Sequence, residues 1–217
     1  MNITTITMPN GCRYMGEDNS LLSKLPINGK FILNKMVTGC GGTSLFLNSK
    51  IPVVIISPRL HALKDKFEQH PGCFLFHTPY TNKAKRAGEI TRLMSDLKAY
   101  VDAYGANPFF QTTVPPKVLV TLDSSGKVLD VLKSCGATDK FLYVVDEFQC
   151  LMGDAVFKGN TDMNFLIRLD SEVKRICYLS ATPIPDLFLD EVPQFKGIPY
   201  IKLEWDPAVL EEPNIRE

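Results

Sequence analysis

Residues 34–50, NKMVTGCGGTSLFLNSK, come close to spelling a loop that holds phosphate. Phosphate oxygens need backbone N–H groups aimed at them from the start of a helix. Glycine lets the backbone come close and take the required angles. Gly39, Gly41 and Gly42 meet that need, and Thr43 stands where a hydroxyl that binds Mg²⁺ belongs. A nucleotide here would rest on Thr38, Gly39, Cys40, Gly41, Gly42, Thr43 and Ser44. The usual pattern ends Gly-Lys-Ser/Thr, yet glycine occupies the lysine's place at 42. A purely structural glycine turn is the competing reading.

Two more stretches carry chemistry. In VVDEF, residues 144–148, an apolar run leads straight into Asp146 and Glu147. Phosphoryl transfer needs one carboxylate to hold Mg²⁺, usually through water, and a second to orient or deprotonate the attacking water. Asp146 suits the first role and Glu147 the second; a solvated strand end is the alternative. In YLSATPIP, residues 178–185, Ser180, Ala181 and Thr182 leave an apolar strand with two hydroxyls at its tip. Alone they also read as a Ser/Thr turn before proline.

The elements that must position these residues are legible as alternating apolar patterns. KFILNK (30–35) reads as a strand entering the glycine turn, with a short helix from Thr43. IPVVIIS (51–57) is nearly continuous in apolar residues, as in a strand buried on both faces of a parallel sheet. Strands are also predicted over 73–77, 117–122, 140–148, 174–183 and 199–205. Helices are predicted over 59–69, 83–104, 125–134 and 163–169, with one or two helical turns in 184–192. Residues 105–116 read as a proline-containing loop, and 206–217 as a linker or frayed tail. The alternation predicts an α/β fold, one domain over 1–205, with a parallel sheet and helices on both faces.

Composition bounds the partners. The 217 residues suffice for one sizeable core. Lys+Arg and Asp+Glu are both 24, so no global basic footprint points to nucleic acid, although a local groove fits a neutral total. The six cysteines, at 12, 40, 73, 135, 150 and 177, form no Cys-x-x-Cys pair. They read as free thiols in a reducing cytosol, so a cytoplasmic location is expected. No run approaches the ~18 apolar residues of a membrane span, and the N-terminus has no signal-peptide pattern.

The order of the three constellations is itself informative. A glycine-rich turn, then strand-Asp-Glu, then strand-Ser-Ala-Thr resembles the first RecA-like domain of helicase superfamily two, over roughly residues 14–205. ISPRLHAL (56–63) looks like the family's segment after the second strand, and VTLDSSGKVL (120–129) like the next such segment. The resemblance implies a nucleic-acid backbone, DNA or RNA, across Pro58, Arg59 and Thr121. It implies that Ser180, Ala181 and Thr182 couple hydrolysis to nucleic-acid binding, and that ATP and Mg²⁺ are the cofactors, the metal on Thr43 and Asp146. NKMVTGCGGTS is also similar to a lysine-less helicase-like group of phages and mobile elements in gut bacteria.

The sequence departs from that family in two ways. Without the loop lysine another cation must neutralise phosphate, and Lys35, four residues before Gly39, is the candidate; a solvated strand-end lysine is the alternative. The family's motors bind ATP between two RecA-like domains, and only residues 206–217 come after Trp205. A second domain is therefore expected in cis or in trans. Arg13 and Tyr14 are candidates to stack on a base, without the family's glutamine, and Lys83, Lys85 and Arg86 read as a solvated helix end. Two rivals stand beside the motor: a degenerate helicase-like module that only binds, and another phosphate-loop motor such as a genome-packaging ATPase.

Overall fold

A computed structural model describes residues 3–78, 82–105, 115–150, 160–182 and 193–210. Its strands are β1 (Ile3–Thr7), β2 (Lys30–Asn34), β3 (Val53–Ser57), β4 (Phe74–Phe76), β5 (Lys117–Thr121), β6 (Leu142–Asp146), β7 (Ile176–Ser180) and β8 (Tyr200–Glu204). They form one sheet in the order β1-β8-β2-β7-β6-β3-β5-β4, and every pair is parallel. The helices are α1 (Leu21–Lys24), α2 (Gly42–Leu47), α3 (Leu60–Gln69), α4 (Lys83–Gly105), α5 (Leu122–Ser134), α6 (Asn160–Glu172) and α7 (Pro207–Leu210). This is the α/β architecture that the alternating pattern predicts, and it is consistent with a RecA-like fold. None of the described helices is long and apolar enough to cross a membrane.

The sheet is buried on both faces because its central strands are apolar at nearly every position. Period-two alternation then sends neighbouring residues to opposite sides. Ile32, Val54, Ile56, Val118, Val120, Tyr143, Val145, Ile176 and Tyr178 face α4, α5 and α6. Phe31, Leu33, Val53, Ile55, Leu119, Leu142, Val144, Cys177 and Leu179 face α1, α2 and α3. Burying so many Val, Ile, Leu and Phe side chains, at ~1.5–3 kcal/mol each, is the main driving force for this order.

The strand order positions the chemistry. β7 lies between β2 and β6, with Asn34 opposite Ser180 and Asp146 opposite Leu179. The ends of β2, β7, β6, β3 and β5 thus stand in one row along the C-terminal edge of the sheet. In open α/β sheets that edge is where ligands bind.

Some elements differ from the sequence-based expectation. β1 was not anticipated: ITTIT is mostly exposed and joins the sheet only by pairing with β8. Helix α5 starts at Leu122 rather than 125, directly after the extended Thr121. The expected linker from 206 opens with the short helix α7, because Asp206 caps it by accepting from the Ala208 N–H at 3.0 Å. Residues 184–192 and most of the 105–116 loop lie outside the described residues.

One buried charge supports the opposite edge. Lys117 begins β5, and its ammonium donates to the carbonyl oxygens of Phe46, Ser49 and Ile51 and to the Ser49 hydroxyl, at 2.6–3.0 Å. These oxygens close the end of α2, where helix carbonyls lack partners. Burial pulls Lys117 down to about 8 from its ordinary 10.5. Between those values the unfolded chain holds a proton that the folded chain has released, so the lysine's contribution to stability grows as pH rises. Below about 8 both states are protonated and the dependence vanishes. In urea unfolding, the stability of the protein relative to Lys117→Met therefore shifts by roughly 2 kcal/mol in the parent's favour between about pH 8 and about pH 10. A pH-independent difference would contradict this account.

Candidate functional site

The site begins where β2 ends. Lys35 extends the ladder by one bond, its N–H donating to the Ser180 carbonyl at 2.8 Å. The Val37 N–H then donates back to the Lys35 carbonyl at 2.7 Å, while Met36 takes φ 62°. This is the rare γ-turn with a left-handed central residue, a strained form for methionine. The Asn34 side chain steadies it: its carbonyl accepts the Met36 N–H at 2.9 Å and its amide donates to the Tyr200 hydroxyl at 2.8 Å.

The turn aims the Lys35 side chain inward. A Cβ added at Gly42 would lie 3.2 Å from Lys35 Cδ, 3.2 Å from Leu179 Cδ2 and 3.5 Å from Met15 Sδ. The lysine stem thus lies against the bare face of Gly42, in space a side chain there would contest. Its ammonium lies close enough to lower the Cys40 and Cys177 thiols, while the Asp146 carboxylate raises the same two. Burial outweighs both and holds the two thiols above the ordinary range. They are protonated at neutral pH.

Beyond Val37 the loop exposes Thr38 and Gly39 and turns Cys40 inward. The Cys40 thiol donates to the Val37 carbonyl at 3.1 Å, and the Cys40 carbonyl accepts the Met15 N–H at 2.8 Å. The thiol and the carbonyl of Cys40 are therefore both engaged within the protein. Gly41 caps α2 at φ 80°, a conformation glycine takes without cost. The exposed Tyr14 ring stands 3.7 Å from the Cβ position of Gly41, so it flanks the loop as a stacking residue would. The Ser44 hydroxyl accepts from Lys66 of α3 at 3.0 Å.

Across the crevice, β6 delivers the acids. The Thr43 hydroxyl donates to Asp146 Oδ2 at 3.0 Å, so the residues expected to hold Mg²⁺ meet. Hydroxyl and carboxylate oxygens are donors that suit this hard cation. Glu147 takes φ 51° and donates its N–H to Asp146 Oδ1 at 3.0 Å. The reason is steric: Asp146 must face the crevice while Phe148 must return to the core. There Phe148 packs against Tyr178 and Phe195, with centroids 5.6 and 5.4 Å away. The chain reverses within one residue. Glu147 Oε2 is buried without a hydrogen bond. Arg59 Nε lies 3.0 Å from it, but its N–H is not aimed at the oxygen, so this is a charge contact alone.

Ser180 is buried, and its hydroxyl donates to the Thr182 carbonyl at 2.8 Å and accepts the Thr182 N–H at 3.0 Å. Ala181 and Thr182 lie next in the chain, at the crevice rim. Pro58 precedes Arg59, the N-cap position of α3, and Thr121 at the end of β5 is the N-cap position of α5. The structure thus brings Lys35, Thr38–Thr43, Asp146, Glu147 and Ser180 together at the neighbouring ends of β2, β7 and β6. Pro58, Arg59 and Thr121 continue the row. Arg59, expected at a nucleic-acid backbone, also makes the charge contact with Glu147, and its side chain stays largely exposed. Sequence reasoning missed Trp205, whose indole N–H donates to the Lys35 carbonyl at 2.7 Å, because nothing local links positions so far apart.

Set against known proteins, the sequence matches no family model, and no curated protein matches it.

Backbone strain at this edge gives two stability expectations of opposite sign. Gly41→Ala should cost about 1–2 kcal/mol, since alanine must be forced to positive φ. Glu147→Asn should gain about 1 kcal/mol, because asparagine tolerates the left-handed region and the backbone strain is released. Denaturant melts of the two variants measure both, and destabilisation by Glu147→Asn would show that the turn is unstrained.

Proposed function

We propose that the chain is an ATP-binding and ATP-hydrolysing motor domain of the helicase or translocase kind, with its phosphate lysine moved from position 42 to position 35. The observation that carries this reading is the Lys35 stem lying against Gly42, beside the joined Thr43 and Asp146. A lysine leaving the loop at 42 and one arriving from 35 compete for the same space. Supplying the ammonium from 35 keeps a cation beside the loop while leaving position 42 bare. A dead loop has no need of a lysine stem there.

In this reading the backbone of Thr38–Thr43 and the Lys35 ammonium bind the phosphates. Thr43 and, through water, Asp146 would hold Mg²⁺, which when bound neutralises phosphate charge. Glu147 orients and deprotonates the attacking water. Its Oε2 has an unfilled acceptor site, as a base awaiting a water requires. Arg59 must release Glu147 for this to happen, which ties the acid to the segment expected to touch DNA or RNA. Ser180 and Thr182, hydrogen-bonded in one tight turn between the two halves of the site, couple its movements. Completion by a second RecA-like domain is part of the proposal.

Calorimetric titration with Mg-ATP tests the reading. The parent binds; Lys35→Ala weakens binding about 10–100-fold, the value of a charge-assisted contact. Adding Gly42→Lys to Lys35→Ala restores binding to within a few-fold, since the lysine then leaves from the usual position into vacated space. Glu147→Gln binds as the parent does but hydrolyses about 10²–10⁴-fold more slowly. No binding by the parent, or equal binding by Lys35→Ala, would sink the moved-lysine motor.

A further inference from the structure

We infer that Trp205 is a positioning residue for Lys35, and that this sole tryptophan makes the occupancy of the phosphate loop visible in its own fluorescence. The inference rests on the reading that Lys35 is the phosphate cation.

The γ-turn at Met36 is not a conformation the chain adopts unaided. Methionine has no preference for positive φ, and a strained residue persists only where its surroundings over-determine it. Three contacts do so, and two come from β8 and the residue after it. Tyr200, at the start of β8, holds the side chain of Asn34 that receives the Met36 N–H. Trp205, just beyond its end, is buried and donates its indole N–H to the Lys35 carbonyl at 2.7 Å. That carbonyl already accepts the Val37 N–H at 2.7 Å, so both of its lone pairs are used.

Lys35 is thereby fixed from both sides. Its N–H is tied to Ser180 on β7, and its carbonyl is tied to Trp205. With the backbone set, the start of the side chain is set too, and the stem passes Gly42, its Cδ 3.2 Å from where a Cβ there would stand. Lys35 thus owes its direction both to the turn formed by its sequence neighbours and to a side chain 170 positions away. Indole emission responds to its hydrogen bonding and to nearby charge. A polyphosphate bound by Lys35 must therefore change the emission of Trp205, which touches the same residue.

The test uses the whole chain and Trp205→Phe, which keeps the aromatic packing and removes the N–H. In the parent, Mg-ATP changes tryptophan emission with the same midpoint that calorimetry gives, and Lys35→Ala abolishes the change. Trp205→Phe binds Mg-ATP about five- to tenfold more weakly, the value of one hydrogen bond spent on orientation. In a Lys35→Ala background the same substitution has no further effect, which a merely structural role would not produce. Should Trp205→Phe melt far below the parent, Trp205→His, which retains a ring N–H, decides the matter by restoring affinity. Binding by the parent that Trp205→Phe leaves unchanged, or weakens equally without Lys35, overturns the positioning role and leaves the motor reading standing. Failure of the parent to bind Mg-ATP overturns both.

Discussion

The architecture depends on one strand. β7, ICYLS, is fully buried and wedged between β2 and β6. Its side chains are committed, alternately, to the two cores, so its register cannot slip without sending each set to the wrong side. That fixed register sets Asn34 against Ser180 and Asp146 against Leu179. The glycine loop and the acids come from strands far apart in sequence that are not paired with each other. They face one another because β7 holds them one strand apart.

The site also shows where strain is kept. Met36 and Glu147 are the described non-glycine residues with positive φ, and they follow β2 and β6, the strands on either side of β7. Each is forced by its surroundings. Met36 is held by side chains from β2 and β8, and Glu147 by the burial of Phe148 among Tyr178 and Phe195. Rigid packing behind the edge thus allows unfavourable backbone at it, an arrangement that is frequent where geometry serves chemistry.

Much of this was legible in the sequence, and the rest was not for physical reasons. Central strands betray themselves by apolar residues at successive positions, so β3, β5, β6 and β7 were readable. So was the placing of Asp146, Glu147 and Ser180 at strand ends. β1 was hidden because ITTIT is largely exposed and its place comes from pairing with β8, a strand nearly the whole chain away. Strand order is likewise a product of non-local pairing. Lys35 was recognisable as a candidate cation, but its direction was not, since it depends on a left-handed methionine and on Trp205. Arg59 reads as a surface contact in sequence; its approach to Glu147 arises only because β3 lies beside β6.

The close packing of Lys35 on Gly42 has an evolutionary consequence. The two positions are coupled, because a side chain at 42 makes the Lys35 stem shift. A chain with lysine at 42 and another residue at 35 has a cation, and so does the present chain. Every single step between them passes through a form with two lysines crowded into one space or a form with none. Crossing that gap requires paired change or a partner that lends a charge in the interval. Position 42 is therefore a place where glycine marks not freedom of the backbone but the presence of another residue's side chain.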